Sequence, residues 1–306
     1  MEVIQLNHQQ FNINEPICSA IGFFDGLHIG HMDLVDEVIK VGNEKNYKKA
    51  LMTFDHHPLY VLGYLKEERY LTTMEDRKKI LEEKGIDYLF VIEFTKEVAS
   101  LSPQDFINKY LVSLSIQHIV CGFDFHFGDK NSGGIADFQN CKDLDVSVID
   151  EVIYKNEKIS STRIRHILNE GHIDEMTSLL GRHYCISGRV IQGKQIGRTI
   201  GFPTANVDYQ SYFLPRNGVY AVKVYIQDQT YLGMCNIGFN PTFKALDKPS
   251  LEINILDFNQ DIYDETIIVE FYSLMRKEKA FSSKEELIQQ LTIDQNYVRK
   301  YFMTQV

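Results

Sequence analysis

The chain has 306 residues, 44% hydrophobic and 24% charged, enough for two domains with separate cores and unlike a disordered or fibrous composition. Its formal net charge of −10 excludes a protein that coats nucleic acid with a broad cationic surface, but leaves room for a small anion in a locally positive pocket. Five widely spaced cysteines without a CxxC pair read as reduced thiols, and no basic-then-apolar leader or run of ~20 apolar residues points to export or membrane insertion, so the expected compartment is the cytoplasm.

Apolar runs at 17–24, 50–54, 86–92, 118–122 and 146–149 predict buried strands, alternating with helical periodicity near 31–46, 74–84 and 103–115. Such alternation implies a parallel sheet covered on both faces, with any ligand outside the carboxyl ends of the strands. Three chemically loaded peptides fall at those ends: Phe24-Asp25-Gly26-Leu27-His28, Asp55-His56-His57-Pro58 and Phe123-Asp124-Phe125-His126-Phe127-Gly128. One shared site is expected.

The first of these runs into His28-Ile29-Gly30-His31, where a helix begins. The orphan N–H groups and dipole of a helix N-terminus favour an anion, Gly30 permits close backbone approach, and two imidazoles three apart can donate to phosphate oxygens. A helix-capping pair or half of a metal site would use the same residues. Further on, Ser160-Ser161-Thr162-Arg163-Ile164-Arg165 opens another helix with hydroxyl caps and two arginines in its first turns. Cations there oppose the dipole, which points either to a bound anion or simply to a capped helix with solvated arginines.

From Tyr184 the period changes to two, with runs at 184–190, 218–226, 231–236, 251–256 and 266–272, predicting a small antiparallel and closed β-barrel. Helical pattern returns near 283–290 and 294–301. The boundary is expected at Gly181-Arg182-His183, dividing the chain into 1–181 and 182–306. Gly188, Gly193, Gly197 and Gly201 punctuate a segment carrying Lys194 and Arg198 and ending in Phe202-Pro203-Thr204-Ala205-Asn206. These glycines are either barrel corners or a phosphate cradle, and Thr204 and Asn206 oxygens suit a hard cation such as Mg²⁺. Glu252, a carboxylate on a strand, can take a proton from a hydroxyl or merely face water.

Taken in order, these stretches, with Leu71-Thr72-Thr73, Pro215–Tyr220, Asn236–Phe243, Leu251–Phe258 and Arg276–Phe281, resemble the prokaryotic bifunctional riboflavin kinase/FMN adenylyltransferase (FAD synthetase) family. The resemblance implies an α/β, Rossmann-like nucleotidyltransferase domain with a parallel sheet, followed by a riboflavin kinase-like β-barrel with C-terminal helices. The first would move AMP from ATP onto FMN, giving FAD and pyrophosphate, and the second would phosphorylate riboflavin. It further implies nucleotide or phosphate contacts at Phe24, Asp25, Gly26, His28, Gly30, His31, Ser161, Thr162, Arg165, Gly193, Lys194, Gly197 and Arg198. Flavin contacts would come from Asp55, Asp124, Phe125 and Asn236, Mg²⁺–ATP ligands from Thr204 and Asn206, and the general base from Glu252. ATP would be co-substrate, with riboflavin, FMN and FAD as the other small-molecule partners. The chain departs from the family's usual residues at His56, often Pro, and at His126, often Arg; an imidazole there grips phosphate less firmly than a permanently charged fork. A single-activity riboflavin kinase and a non-catalytic flavin sensor are the alternatives. The oligomeric state is not legible.

Overall fold

In the computed structural model, residues 1–7, 13–193, 195–239 and 248–304 are described. The chain divides into two units, Met1–Ser161 and Thr162–Val306. The first contains β1 (Glu2–Leu6), β2 (Ile17–Ile21), α1 (Ile29–Lys45), β3 (Lys48–Phe54), α2 (Pro58–Val61), α3 (Met74–Glu83), β4 (Tyr88–Ile92), α4 (Lys96–Ala99), α5 (Pro103–Tyr110), β5 (Ile116–Gly122), α6 (Ile135–Gln139), β6 (Asp145–Ile149) and the hairpin β7–β8 (Ile153–Tyr154, Glu157–Lys158). Strands β1 to β6 form one sheet in the order β1-β4-β3-β2-β5-β6, and each neighbouring pair is parallel.

The predicted parallel sheet is therefore present, with the five anticipated strands at its centre and one side. The edge strand β1 is additional. Its polar Glu2 and Gln5 break the apolar run that marks the others, because only part of an edge strand is buried. Strand β2 shows why the inner runs are apolar throughout: Ile17 and Ile21 enter a core with Phe106 and Phe138, while Cys18 and Ala20 enter another with Leu34, Val35 and Val38 of α1. Both faces are covered. The helix expected over 103–115 ends at Tyr110, and a 3₁₀ turn at Val112–Leu114 closes on Ser115 in the left-handed region (φ 58°).

Topology positions the first site. From β2 the chain proceeds outward through β3 and β4, then returns to β5 on the other side of β2. The strand order thus reverses at β2, and loops leaving β2 and β5 open a crevice at the sheet's carboxyl edge.

The second unit carries α7 (Ser161–Glu170, whose first residue ends the first unit) and α8 (Met176–Leu180), then β9 (Tyr184–Ile191), α9 (Ile196–Thr199), β10 (Ala205–Asp208), β11 (Gly218–Ile226), β12 (Gln229–Gly238), β13 (Ser250–Ile255), β14 (Thr266–Arg276) and α10 (Lys284–Met303). Six strands close in the order β10-β13-β12-β11-β14-β9, the barrel expected from the period-two runs. The two helical segments expected at the C-terminus are one. Ser283 caps its start, accepting from Glu286 N–H (3.1 Å), and Leu291-Thr292-Ile293 between them contains neither Gly nor Pro to interrupt the hydrogen-bond ladder.

Along β13 the apolar Leu251, Ile253 and Ile255 alternate with the polar Ser250, Glu252 and Asn254; the three apolar residues and Asn254 are buried. On the outer wall of the barrel, Val219, Ala221 and Met234 pack with Val298 and Phe302 of α10. Met234 stands opposite Asn254, and Asn236 opposite Glu252. The polar row of β13 consequently shares the α10 side of the wall.

Candidate functional site

The loop after β2 is bent hard. Phe24 (φ 54°), Gly26 (φ 87°) and Leu27 (φ 38°) all lie in the left-handed region, which is unfavourable for the two side-chain-bearing residues and must be over-determined by surrounding bonds. Those bonds come from the 71–77 segment. Gly26 N–H donates to Thr72 Oγ1 (2.9 Å), Asp25 Oδ1 accepts from Leu71 and Thr72 N–H (2.9 and 3.2 Å), and Arg77 donates to the carbonyls of Phe23 and Thr72 (3.1 and 3.2 Å). The Arg77 guanidinium lies 3.7 Å from the Asp25 carboxylate, with both side chains at 3% exposure or less. Asp25 thus acts from beneath the loop, fixing its shape.

That shape delivers His28 to the start of α1. His28 is the N-cap: its Nδ1 accepts from His31 N–H (3.2 Å), so in the neutral ring the proton sits on Nε2 as a donor. The capping alternative is thus real, and it orients the ring as a donor. The His28 and His31 rings stack with centroids 3.6 Å apart, and Phe24 sets its edge against His31 at 5.3 Å. A Cβ on Gly30 would stand 3.4 Å from His28 Nδ1. Among the described residues no group of three or more His, Cys, Asp or Glu is gathered to hold a metal.

Loops after the two strands flanking β2 leave the same edge. Asp55, after β3, accepts from His56 and Phe94 N–H (2.7 and 2.8 Å), and the His57 ring meets Phe23 at 4.6 Å. Glu68 accepts from His57 N–H (2.7 Å), His56 Nδ1 (2.8 Å) and the Tyr70 hydroxyl, and its hydrogen bond holds the His56 imidazole above its ordinary range. After β5, Asp124 is ion-paired with Lys158, and His126 Nδ1 donates to the Asp124 carbonyl (2.9 Å). Phe125 packs into the core against Phe127 and Phe138. The exposed ring of this loop is Phe123, with Lys158 Nζ 4.6 Å from its centroid. Ser161 Oγ donates to the Asp25 carbonyl (2.8 Å). Thr162 and Arg165 lie on α7 in the second unit, where the Arg165 guanidinium stands 5.9 Å from the Phe213 ring.

In the barrel, the sequence-predicted residues converge through strand register. Asn206 of β10 stands opposite Glu252 of β13, Glu252 opposite Asn236 of β12, Asn236 opposite Val219 of β11, and Val219 opposite Arg276 of β14. Residues directly opposed across a ladder present side chains to one face, so this row runs along one wall. A cavity of about 260 Å³ opens there, lined by Thr204, Asn236, Glu252, Asn254, Arg276 and Phe281 among others. A second cavity of about 490 Å³ is lined by Thr204, Arg198, Phe258 and Tyr263. Thr204 is common to both.

Local contacts explain two of the glycines, Gly193 and Gly197. A Cβ on Gly193 would fall 2.1 Å from Asn206 Nδ2, and one on Gly197 would fall 2.2 Å from the Phe202 carbonyl. Glu252 Oε1 accepts from Ser250 Oγ (3.1 Å), while burial and the nearby Glu252 charge push the Cys235 thiol well up, leaving it inert. Lys194 and the Asn240-Pro241-Thr242-Phe243 part of the motif lie outside the described residues. Sequence reasoning assigned no role to Thr72, Arg77, Asn254 or Arg276. Asn254 donates to the Pro203 carbonyl (2.7 Å), steadying Thr204, and its only signal was a polar residue two positions after Glu252 in an apolar strand.

Comparison with known proteins agrees with this two-site arrangement. Residues 10–163 match the family model for FAD synthetase and residues 180–302 the model for riboflavin kinase. The bifunctional riboflavin kinase/FMN adenylyltransferase of Listeria monocytogenes is 39% identical over 99% of this chain and 98% of its own length. The chain belongs to the bifunctional riboflavin kinase/FMN adenylyltransferase family. Another relative of that name, from Bacillus subtilis, is 40% identical over 99% of this chain and 98% of its own length. A crystal structure described as a macrolide-efflux protein from Streptococcus pneumoniae superposes with a TM-score of 0.90 at 33% identity, covering 97% of this chain and 98% of that one. The bifunctional family accounts for both motif sets, and no helix among the described residues is long and apolar enough to cross a membrane.

Proposed function

We propose that the barrel phosphorylates riboflavin from ATP to give FMN, and that the first unit transfers AMP from a second ATP onto FMN, giving FAD and pyrophosphate. The observation that carries the kinase half is the register row that sets Glu252 between Asn206 and Asn236 in the wall of a cavity. With Oε1 engaged by Ser250, the other oxygen of Glu252 takes the proton of the ribityl hydroxyl as the hydroxyl oxygen bonds to the γ-phosphorus and the bond from that phosphorus to the bridging oxygen breaks, releasing ADP. Asn236 contacts the flavin in this reading. Thr204 and Asn206 supply neutral oxygens suited to Mg²⁺ alongside ATP phosphates, and the bare Cα of Gly193 leaves the Asn206 amide its place, so these residues fit the ion. Bound Mg²⁺ would offset phosphate charge. In this reading Gly193, Gly197 and Arg198 belong to a turn that covers the phosphates.

Adenylyl transfer needs no protein nucleophile, because the FMN phosphate itself attacks the α-phosphorus. His28 Nε2–H, His31 and the α1 N-terminus stabilise triphosphate charge, with Ser161 assigned to the departing phosphates and Asp55 and Asp124 to the flavin side. The free cysteines, of which Cys18, Cys121 and Cys235 are buried, fit a reducing cytoplasm. A time course with riboflavin, ATP and Mg²⁺, beside one started from FMN, tests the scheme by chromatographic separation of the three flavins. Transient FMN followed by FAD is expected; FMN without FAD in either reaction removes the adenylyl-transfer half.

A further inference from the structure

Arg276 closes the register row at the far side from Asn206, and it is held from outside the barrel. Its Nε lies 3.0 and 3.2 Å from the two Asp294 oxygens and its Nη2 lies 2.7 Å from Asp294 Oδ2. Asp294, on α10, is 3% exposed, and Gln290, one turn earlier, donates to its Oδ1 (2.9 Å). Register shifts between β11 and β14 near Val219 and Ala221 mark bulged strand geometry, which re-aims side chains at a strand end. The guanidinium thus has its Nε–Nη2 edge consumed by a buried carboxylate, which sets its plane within the wall that also carries Glu252.

We propose that Asp294 is a positioning residue for phosphoryl transfer to riboflavin, acting through Arg276. This rests on the kinase reading of the barrel. In that reading Glu252 takes the hydroxyl proton and Thr204 lies toward the nucleotide, so the transferring phosphoryl group passes through the cavity that Arg276 lines. A cation fixed there before reaction stabilises charge spreading over the phosphoryl oxygens. Lys279 lines the same cavity, but its ammonium is paired with Glu286 (3.0 Å) and its side chain is 54% exposed, so it is the more mobile and better screened cation. Arg276 Nη1 also donates to the Lys277 carbonyl (3.2 Å), tying the segment that leads to Phe281 to the same anchor. Asp294 touches no substrate in this scheme. Its effect is to remove rotational freedom from the group that does.

The test measures steady-state riboflavin phosphorylation by full-length wild type, Asp294→Asn, Arg276→Met and the double variant, with FAD formation from FMN and thermal unfolding on the same preparations. Arg276→Met is expected to lower kcat on the order of 10²-fold and Asp294→Asn on the order of 10-fold, with the KM for riboflavin changed less than about twofold. The double variant should match Arg276→Met alone, because Asp294 has nothing left to orient. FAD formation from FMN should be unchanged in all. Losses that multiply in the double variant, or wild-type kcat in Asp294→Asn, overturn the proposal. If Asp294→Asn does not fold, Asp294→Glu and Arg276→Lys carry the same comparison, and Asp294→Glu with a kcat no lower than wild type and losses that multiply in Asp294→Glu/Arg276→Lys overturn it equally. Failure of the wild type to phosphorylate riboflavin would instead remove the kinase reading itself.

Discussion

Substituting Gly193 with alanine isolates the cation site with one methyl group. The added Cβ would lie 2.1 Å from Asn206 Nδ2 and 2.9 Å from its Oδ1. Carbon against a heavy atom is comfortable at roughly 3.5 Å, so the amide must retreat by about 1.4 Å. The displaced atoms are the far end of a side chain on a half-buried wall, so the stability loss should be small, under about 1 kcal/mol. Function is a different matter, since that amide oxygen is one of the two proposed ligands, and a misplacement of about 1 Å near reacting groups lowers rates on the order of 10²-fold. Riboflavin phosphorylation at saturating riboflavin, titrated with MgATP, should show that loss. The midpoint of thermal unfolding should stay near wild type, and FAD formation from supplied FMN should be untouched. Full kinase activity in Gly193→Ala would show that Asn206 does not hold the cation.

Glu252→Gln keeps the shape and the Ser250 contact but cannot accept the hydroxyl proton, so riboflavin phosphorylation should fall by roughly 10²- to 10⁴-fold while FMN is still converted to FAD; unaltered FMN production discards the base assignment. His28→Asn retains a good N-cap for α1 and removes the ring, so FAD synthesis should stop with FMN accumulating while the thermal midpoint stays near wild type, whereas His28→Ala should also lose about 1 kcal/mol. Equal FAD output from wild type and His28→Asn would reduce His28 to a cap. His118, buried between Lys45 (3.4 Å to Nδ1) and Ser147 (2.8 Å to Nε2), is held below its ordinary range first by burial and then by Lys45. The depressed folded value means stability is complete above the unfolded pKa near 6.5 and is lost as pH falls through it, with a slope of at most about 1.4 kcal/mol per pH unit. Denaturant midpoints of wild type and His118→Gln should therefore converge between pH 7.5 and 5.5, and parallel curves would contradict this.

Local pattern carried much of this protein. Apolar runs with period 3.6 between them sufficed for a parallel sheet, since a strand buried on both faces must be apolar throughout, and the shift to period two after Tyr184 sufficed for the barrel, where β9 buries alternate residues. The peptides at strand ends were legible because parallel topology sends those loops to one edge. What stayed hidden depends on contacts between residues far apart in the chain. Nothing near Asp25 announces that Thr72 and Arg77 will occupy its carboxylate and brace the strained loop above it. Nor does the sequence around Phe123 and Phe125 say which ring enters the core, since both suit a buried position and only packing against Phe138 chooses. In the barrel, Glu252 was visible as a carboxylate on a strand, but its company was not. Register across five strands aligns Asn206, Asn236 and Arg276 with it, and α10, read from sequence as two short helices, brings Asp294 to Arg276 from 18 residues away. A periodic pattern reports which face of an element is buried. Which residues meet on that face is decided by strand pairing and helix packing, and those are settled only when the whole core forms.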